Sequence, residues 1–288
     1  MKATFEEKYE YIENDPISSG AYGHVYRIRD KILKTEYVLK KLRKEDPNNP
    51  NITGTDQETF ENEINFLINI KGTNIINIID YYADKNDKYY YIILEKMEGD
   101  LSNMLNKFKN GMSSKLVRKI FLQLNTALKE MINNGKTHRD LKPSNILFSY
   151  TNDKQSDFII KLGDFGLAAD LTTTKTLSNV GTDLFKAPEV GKGRFSNKSD
   201  LYSLGILLYM LKTGEYIFEG NSLYEKLTNK NKNKIKKETD DPLLNNLIKK
   251  LVVINPKERM DWKDYFNDPF FNIDDDDIFQ NAECKLNI

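Results

Sequence analysis

Between positions 137 and 166 the chain twice sets an acidic side chain on a short polar loop beside a β-prone run, inside a stretch that is otherwise mainly helical. The first loop is Thr137-His138-Arg139-Asp140-Leu141-Lys142-Pro143-Ser144-Asn145, and the apolar pair Ile146-Leu147 follows at once. The second, Asp164-Phe165-Gly166, begins nineteen positions after Asn145. An acid, a base and an amide thus fall within six positions, with a second acid close behind. Short strands carrying polar loops in this order constrain the chain to a fold in which a small β element is set among helices.

The rest of the sequence divides accordingly. His24-Val25-Tyr26-Arg27-Ile28-Arg29 and Tyr37-Val38-Leu39-Lys40 read as strands, and Asp46-Pro47-Asn48-Asn49-Pro50-Asn51 as a loop rich in turn formers. Residues 58–70 place Phe60, Ile64, Leu67 and Ile68 at helical spacing, which predicts one buried stripe. Strand character returns over 75–82 and 89–94; from Leu101 onward the pattern is helical, as over 115–133, 200–212 and 242–253. The expectation is an α+β fold of two lobes: a β-rich N-lobe with one main helix (1–94), a hinge (95–100), a larger mainly helical C-lobe (101–272) and an acidic tail (273–288).

Composition removes several classes of function. Lysine plus arginine and aspartate plus glutamate both number 43, so no net field favours nucleic acid or an anionic membrane. The lysine-rich run 232–237 reads as a solvated face. Cys284 is the single cysteine, which excludes an intramolecular disulfide and fits a reducing compartment. Together with His24 and His138 it gives no zinc spacing. The first residues lack an apolar signal core, and the apolar stretch 204–211 is far too short to span a bilayer. A soluble monomer in the cytoplasm or nucleus, without nucleic-acid or membrane partners, is the expectation.

Two carboxylates and one amide on adjoining loops suit the holding of a Mg²⁺-bound triphosphate beside a hydroxyl, because Mg²⁺ prefers oxygen ligands. The first segment reads H-R-D-x-K-x-x-N and the second D-F-G, and together they resemble the catalytic core of the eukaryotic protein kinases. The resemblance extends over residues 12 to 272 and implies a bilobal protein-kinase-like fold using ATP and Mg²⁺. Asp140 would be the catalytic base, Lys142 the charge that neutralises the moving phosphoryl group, and Asn145 and Asp164 the metal ligands. His138 would brace the loop, and Phe165 would pack in the core to set Asp164.

Ile17-Ser18-Ser19-Gly20-Ala21-Tyr22-Gly23-His24-Val25 resembles the kinase glycine-rich loop, with Ser18 in place of the first glycine and Gly20 and Gly23 nearest the phosphates. Lys40, closing a segment that resembles V-A-I-K, would grip the α- and β-phosphates, whereas Lys41 points to the opposite face and reads as solvated. Glu63 is the matching partner for Lys40, ahead of Glu61 and Glu58. By the same resemblance Leu94 is the gatekeeper, the backbones of Glu95 and Met97 bond the adenine edge, and Val25, Val38 and Leu147 sandwich the ring. Asp100 is available to a ribose hydroxyl or a basic substrate side chain.

Lys142 and Thr182, in Gly181-Thr182-Asp183-Leu184-Phe185-Lys186-Ala187-Pro188-Glu189, resemble the serine/threonine kinases, so protein serines and threonines are the implied acceptors. Phe185 stands where tyrosine is usual. Glu189 is expected to pair with Arg259, and Asp200 to hold the catalytic loop from a central helix. Arg139 implies control by phosphorylation of the activation segment, by an upstream kinase or by the chain itself, at Ser178 first and Thr176 second. Ala169 stands where a second basic group for that phosphate is often found. The runner-up is a nucleotide-binding pseudokinase acting as a scaffold, for which Ser18 is the sole support.

Overall fold

Side-chain alternation along Glu36–Arg43 decides what the first part of the molecule buries. Leu39 on that strand is fully buried, and its neighbours Val38 and Lys40 face the other side of the sheet. The structure, a computed structural model, describes residues 4–20, 23–46, 54–83, 87–152, 157–172, 184–220, 223–231 and 235–272. It divides into two compact units, Met1–Lys71 with Ile75–Met97, and Gly72–Asn74 with Glu98–Ile288.

In the first unit, α1 (Phe5–Lys8) leads into β1 (Tyr9–Tyr11), followed by β2 (Ser18–Gly20), β3 (Gly23–Asp30), β4 (Glu36–Arg43), α2 (Gln57–Asn69), β5 (Ile78–Tyr82) and β6 (Tyr89–Glu95). The strands form one antiparallel sheet in the order β1-β3-β4-β6-β5, with β2 also paired to β3. One face is aromatic. Phe5 stacks on Tyr91 at 4.8 Å, and Tyr9, Ile28, Leu39 and Ile93 complete the buried cluster. The short α1 is fixed by a capping box between Thr4 and Glu7, which satisfies two of its free backbone donors.

Asp56 caps α2 by accepting from Thr59 N at 2.7 Å. Phe60, Glu63, Ile64, Phe66 and Leu67 form its buried face. Ile68, expected in the stripe, is instead 41% exposed. At i+8 it lies roughly 80° around the helix from Phe60, beyond the edge of that face. The strand expected from residue 75 starts at Ile78, because Ile75 and Ile76 are buried in the preceding connection.

The second unit holds β7 (Gly99–Asp100), α3 (Leu101–Lys107), α4 (Ser114–Asn133), β8 (Lys136–Thr137), β9 (Ile146–Tyr150), β10 (Phe158–Leu162), β11 (Ala169–Asp170), α5 (Ser199–Thr213), α6 (Leu223–Asn231), α7 (Pro242–Leu251) and α8 (Trp262–Phe266). Two small sheets, β10-β9-β7 and β11-β8, carry the polar loops picked out in the sequence. The helix α5 is buried on all sides, from Ser199 to Tyr209, as an apolar helix at the centre of a core must be. It ends at Gly214, whose φ of 72° is the left-handed C-cap conformation. The loop residue Asn74 belongs to this unit: its Nδ2 donates to Ile160 O at 2.7 Å, and its carbonyl accepts from Leu162 N at 2.8 Å. Among the described residues no helix is long and apolar enough to cross a membrane.

Candidate active site

The loop after β8 is suspended from the central helix. Both oxygens of Asp200 on α5 accept: Oδ2 from Thr137 Oγ1 at 2.6 Å and His138 N at 2.7 Å, and Oδ1 from Arg139 N at 2.9 Å. Asp200 is 2% exposed, so these charge-assisted bonds form away from water. Next, Asp140 N donates to His138 Nδ1 at 3.3 Å, which leaves the protonated Nε2 to donate to Gly163 O at 3.0 Å. His138 therefore ties the loop to the residue before Asp164, and its ring lies 5.3 Å from that of the buried Phe165.

Asp140 is the hub of the loop. Lys142 Nζ is 2.5 Å from its Oδ2, and Asn145 Nδ2 donates to the same oxygen at 3.0 Å and to Asp140 O at 2.8 Å. Pro143–Asn145 forms one 3₁₀ turn, with proline at its start where no amide hydrogen is needed. Gly163 N donates to Asn145 O at 2.9 Å, so the two polar loops are joined through the backbone as well. Arg139 and Asp164 both have positive φ, 69° and 57°. Non-glycine residues in this region carry strain that the surrounding bonds must offset, and such strain concentrates at functional sites.

In the first unit, Lys40 Nζ donates to Glu63 Oε1 at 2.6 Å, with side-chain exposures of 20% and 4%. Of the three glutamates considered on α2, Glu63 is the buried one and meets Lys40, whereas Glu58 and Glu61 are exposed. Ser18 pairs with Val25, and Gly20 with Gly23, across the β2–β3 ladder. A Cβ on Gly23 would meet Lys41 O at 2.1 Å, so glycine is required there. Ala21 and Tyr22 lie outside the described residues.

A family model, protein kinase domain, matches residues 11–271. The chain belongs to that family. Among curated proteins it is 35% identical over 222 residues to calcium-dependent protein kinase 6 of Plasmodium berghei, covering 75% of this chain and 14% of that protein. It is 33% identical to the probable serine/threonine-protein kinase fhkB of Dictyostelium discoideum (90% and 23% covered) and 32% identical to serine/threonine-protein kinase ATG1c of Arabidopsis thaliana (91% and 36%). The chain thus spans well under half the length of these relatives.

The other residues picked out by resemblance to the kinase domain are divided between the two units. Val38 pairs with Leu94 in the β4–β6 ladder, and both are half-buried. Glu95 N donates to Asn77 O at 3.1 Å, and Glu95 Oε1 accepts from Asn77 N at 2.7 Å; Met97 is the last residue of the first unit. Leu147 on β9 pairs with Asp100. Asp100 also acts locally, since its carboxylate caps α3 by accepting from Asn103 N at 3.0 Å. Lys41 corrects the reading from alternation alone. Its ammonium lies 4.5 Å from the ring of Tyr89 and 5.5 Å from that of Tyr91, and it donates to Tyr11 Oη at 3.3 Å. It is an aromatic-face lysine, not a simply solvated one.

Glu189 and Arg259 form a two-pronged buried pair at 2.8 and 3.0 Å, joined by Ser199 Oγ at 2.9 Å. Just upstream, Tyr216 Oη donates to Leu184 O at 2.6 Å and Ser203 Oγ to Phe185 O at 2.8 Å. Thr176, Ser178 and Thr182 lie outside the described residues. Sequence reasoning missed Phe195, whose ring lies 4.6 Å from the Arg139 guanidinium. Burial pulls that guanidinium below its ordinary pKa, against the favourable charges of Asp200 and Asp170. It also missed Thr137 as a partner of Asp200; nothing in the sequence marks either residue.

The donor set suits a divalent metal. The Asn145 amide nitrogen is committed to Asp140, which directs its oxygen elsewhere, and Asp164 is exposed on the neighbouring loop. Among the described residues no three His, Cys, Asp or Glu side chains cluster into an all-protein cage. One amide oxygen and one carboxylate are oxygen donors of the kind a hard divalent cation takes.

Proposed function

We propose that the chain is a protein serine/threonine kinase, transferring the γ-phosphate of ATP to serine and threonine hydroxyls of protein substrates with Mg²⁺ as the metal. The observation that carries this reading is the cluster in which Lys142 and Asn145 both reach the Asp140 carboxylate, at 2.5 and 3.0 Å. A base held by two donors has one orientation, and orientation rather than basicity is what phosphoryl transfer most requires.

In this reading Asp140 orients the acceptor hydroxyl and takes its proton late in a loose transition state. Lys142 offsets the negative charge on the moving group. Lys40, fixed by Glu63, is the cation for the α- and β-phosphates. Asn145 and Asp164 would hold the metal, whose charge screens the phosphate oxygens from one another. Serine and threonine specificity rests on Lys142 and Thr182. The setting is the reducing interior of the cell, in keeping with one cysteine. Regulation is by phosphorylation at Ser178, or at Thr176, engaging Arg139; active protein found unmodified at both by mass spectrometry removes that part.

The test is transfer of radiolabel from ATP to a generic protein substrate, with Asp140→Asn beside the wild type. The variant is expected to lose about 10² to 10⁴-fold in rate while still binding ATP. An unchanged rate takes Asp140 out of its role. A wild-type chain that binds ATP and transfers nothing is the pseudokinase suggested by Ser18.

A further inference from the structure

The turn between β3 and β4 breaks the rule that hairpin tips are polar. Ile32 is 87% and Leu33 67% exposed, and among the described residues they are the two most exposed large apolar side chains. Single exposed apolar residues are ordinary; two adjacent ones at one tip are not. The tip is also rigid. Asp30, 3% exposed, uses Oδ1 to accept from both Ile32 N and Leu33 N at 2.8 Å, and its carbonyl accepts from Lys34 N at 3.0 Å. Lys31 N donates to Lys8 O at 2.9 Å.

Every backbone N–H from Lys31 to Lys34 is therefore bonded within the chain. That spares the backbone donors the cost of losing water on approach to a medium that offers no hydrogen bonds. The two apolar side chains are flanked by the exposed Lys31 and Lys34. Lys31 Nζ donates to the neutral carbonyl of Glu6 at 2.5 Å, and among the described residues it forms no ion pair.

We propose that Lys31-Ile32-Leu33-Lys34 is a membrane-contact tip that seats Ile32 and Leu33 at the headgroup boundary of an anionic lipid surface, with the two lysines against the headgroups. A protruding tip needs no shaped receptor in lipid, whereas a protein partner must supply a groove. The lysine charges complement acidic headgroups. Net neutrality, and the lack of a spanning helix among the described residues, do not bear on so local a contact, and this departs from the expectation of no membrane partner.

The test is co-sedimentation of wild type and Ile32→Ser/Leu33→Ser with phosphatidylcholine vesicles, with and without added phosphatidylserine. Wild type is expected to bind the serine-lipid vesicles preferentially and to lose binding at raised salt. The double variant is expected to bind them roughly tenfold less or weaker still, the loss of two inserted apolar side chains. Its thermal midpoint and phosphotransfer to a soluble substrate stay unchanged, and Lys34→Glu loses only the serine-lipid preference. Equal sedimentation of wild type and double variant, or none by either, overturns the proposal. So does self-association of the wild type that the double variant abolishes, which makes the tip a contact between copies.

Discussion

Tyr202 and Tyr265 are both fully buried, yet their hydroxyls differ in kind. Tyr265 Oη donates to Asn125 Oδ1 at 2.8 Å, whereas Tyr202 Oη has no hydrogen-bond partner among the described residues. A buried hydroxyl without a partner is a desolvation cost with no return. Tyr202→Phe is therefore expected to leave the urea midpoint unchanged or raised, keeping the ring beside the Arg259 guanidinium. Tyr265→Phe is expected to cost about 1–3 kcal/mol, because it strands the amide oxygen of Asn125. Parallel urea titrations decide it; equal losses in the two variants refute the distinction. At this scale the sequence was legible where spacing within one short loop sets neighbours, as for Asp140, Lys142 and Asn145, which meet in one hydrogen-bonded cluster. It was silent where neighbours decide: the cage around Lys41, the capping duty of Asp100, and the positive φ of Arg139 and Asp164 depend on what folds against them.

Among the elements, α5 is the one from which the Asp140 loop is held. Asp200 near its start holds that loop, and Ser199 beside it joins the Glu189–Arg259 pair. Arg259 has no exposed side-chain surface, so removing its counter-charge leaves a cation stranded in the core. Glu189→Gln is expected to cost about 3–5 kcal/mol of unfolding free energy, far beyond the value of a surface pair. Chemical denaturation measures it, and a loss below about 1 kcal/mol would mean that the pair is effectively solvated. Helical periodicity located α2, α4 and α5 to within a residue or two, since long amphipathic or wholly apolar segments signal strongly. Periodicity placed β5 too early, because the buried Ile75 and Ile76 look like strand residues but sit in a connection.

Across the whole molecule, the buried tyrosines set an alkaline limit. Burial raises the hydroxyl pKa of Tyr202, Tyr216 and Tyr265 above the ordinary 10.0. A group whose pKa is raised on folding stabilises fully below its unfolded value, and that contribution fades as pH climbs past it. Buried-tyrosine ionisation is expected to lower the thermal midpoint only above about pH 10; a midpoint that does not move between neutral pH and well above pH 10 contradicts this. The strand-then-helix division was readable in composition along the chain. The return of Gly72–Asn74 to the second unit was not, because three polar or small residues carry no pattern. That excursion bears on biosynthesis. Asn74 leaves the ribosome long before Ile160 and Leu162, its eventual partners, so a nascent chain paused before those residues emerge must keep this stretch waiting, open to chaperones and proteases.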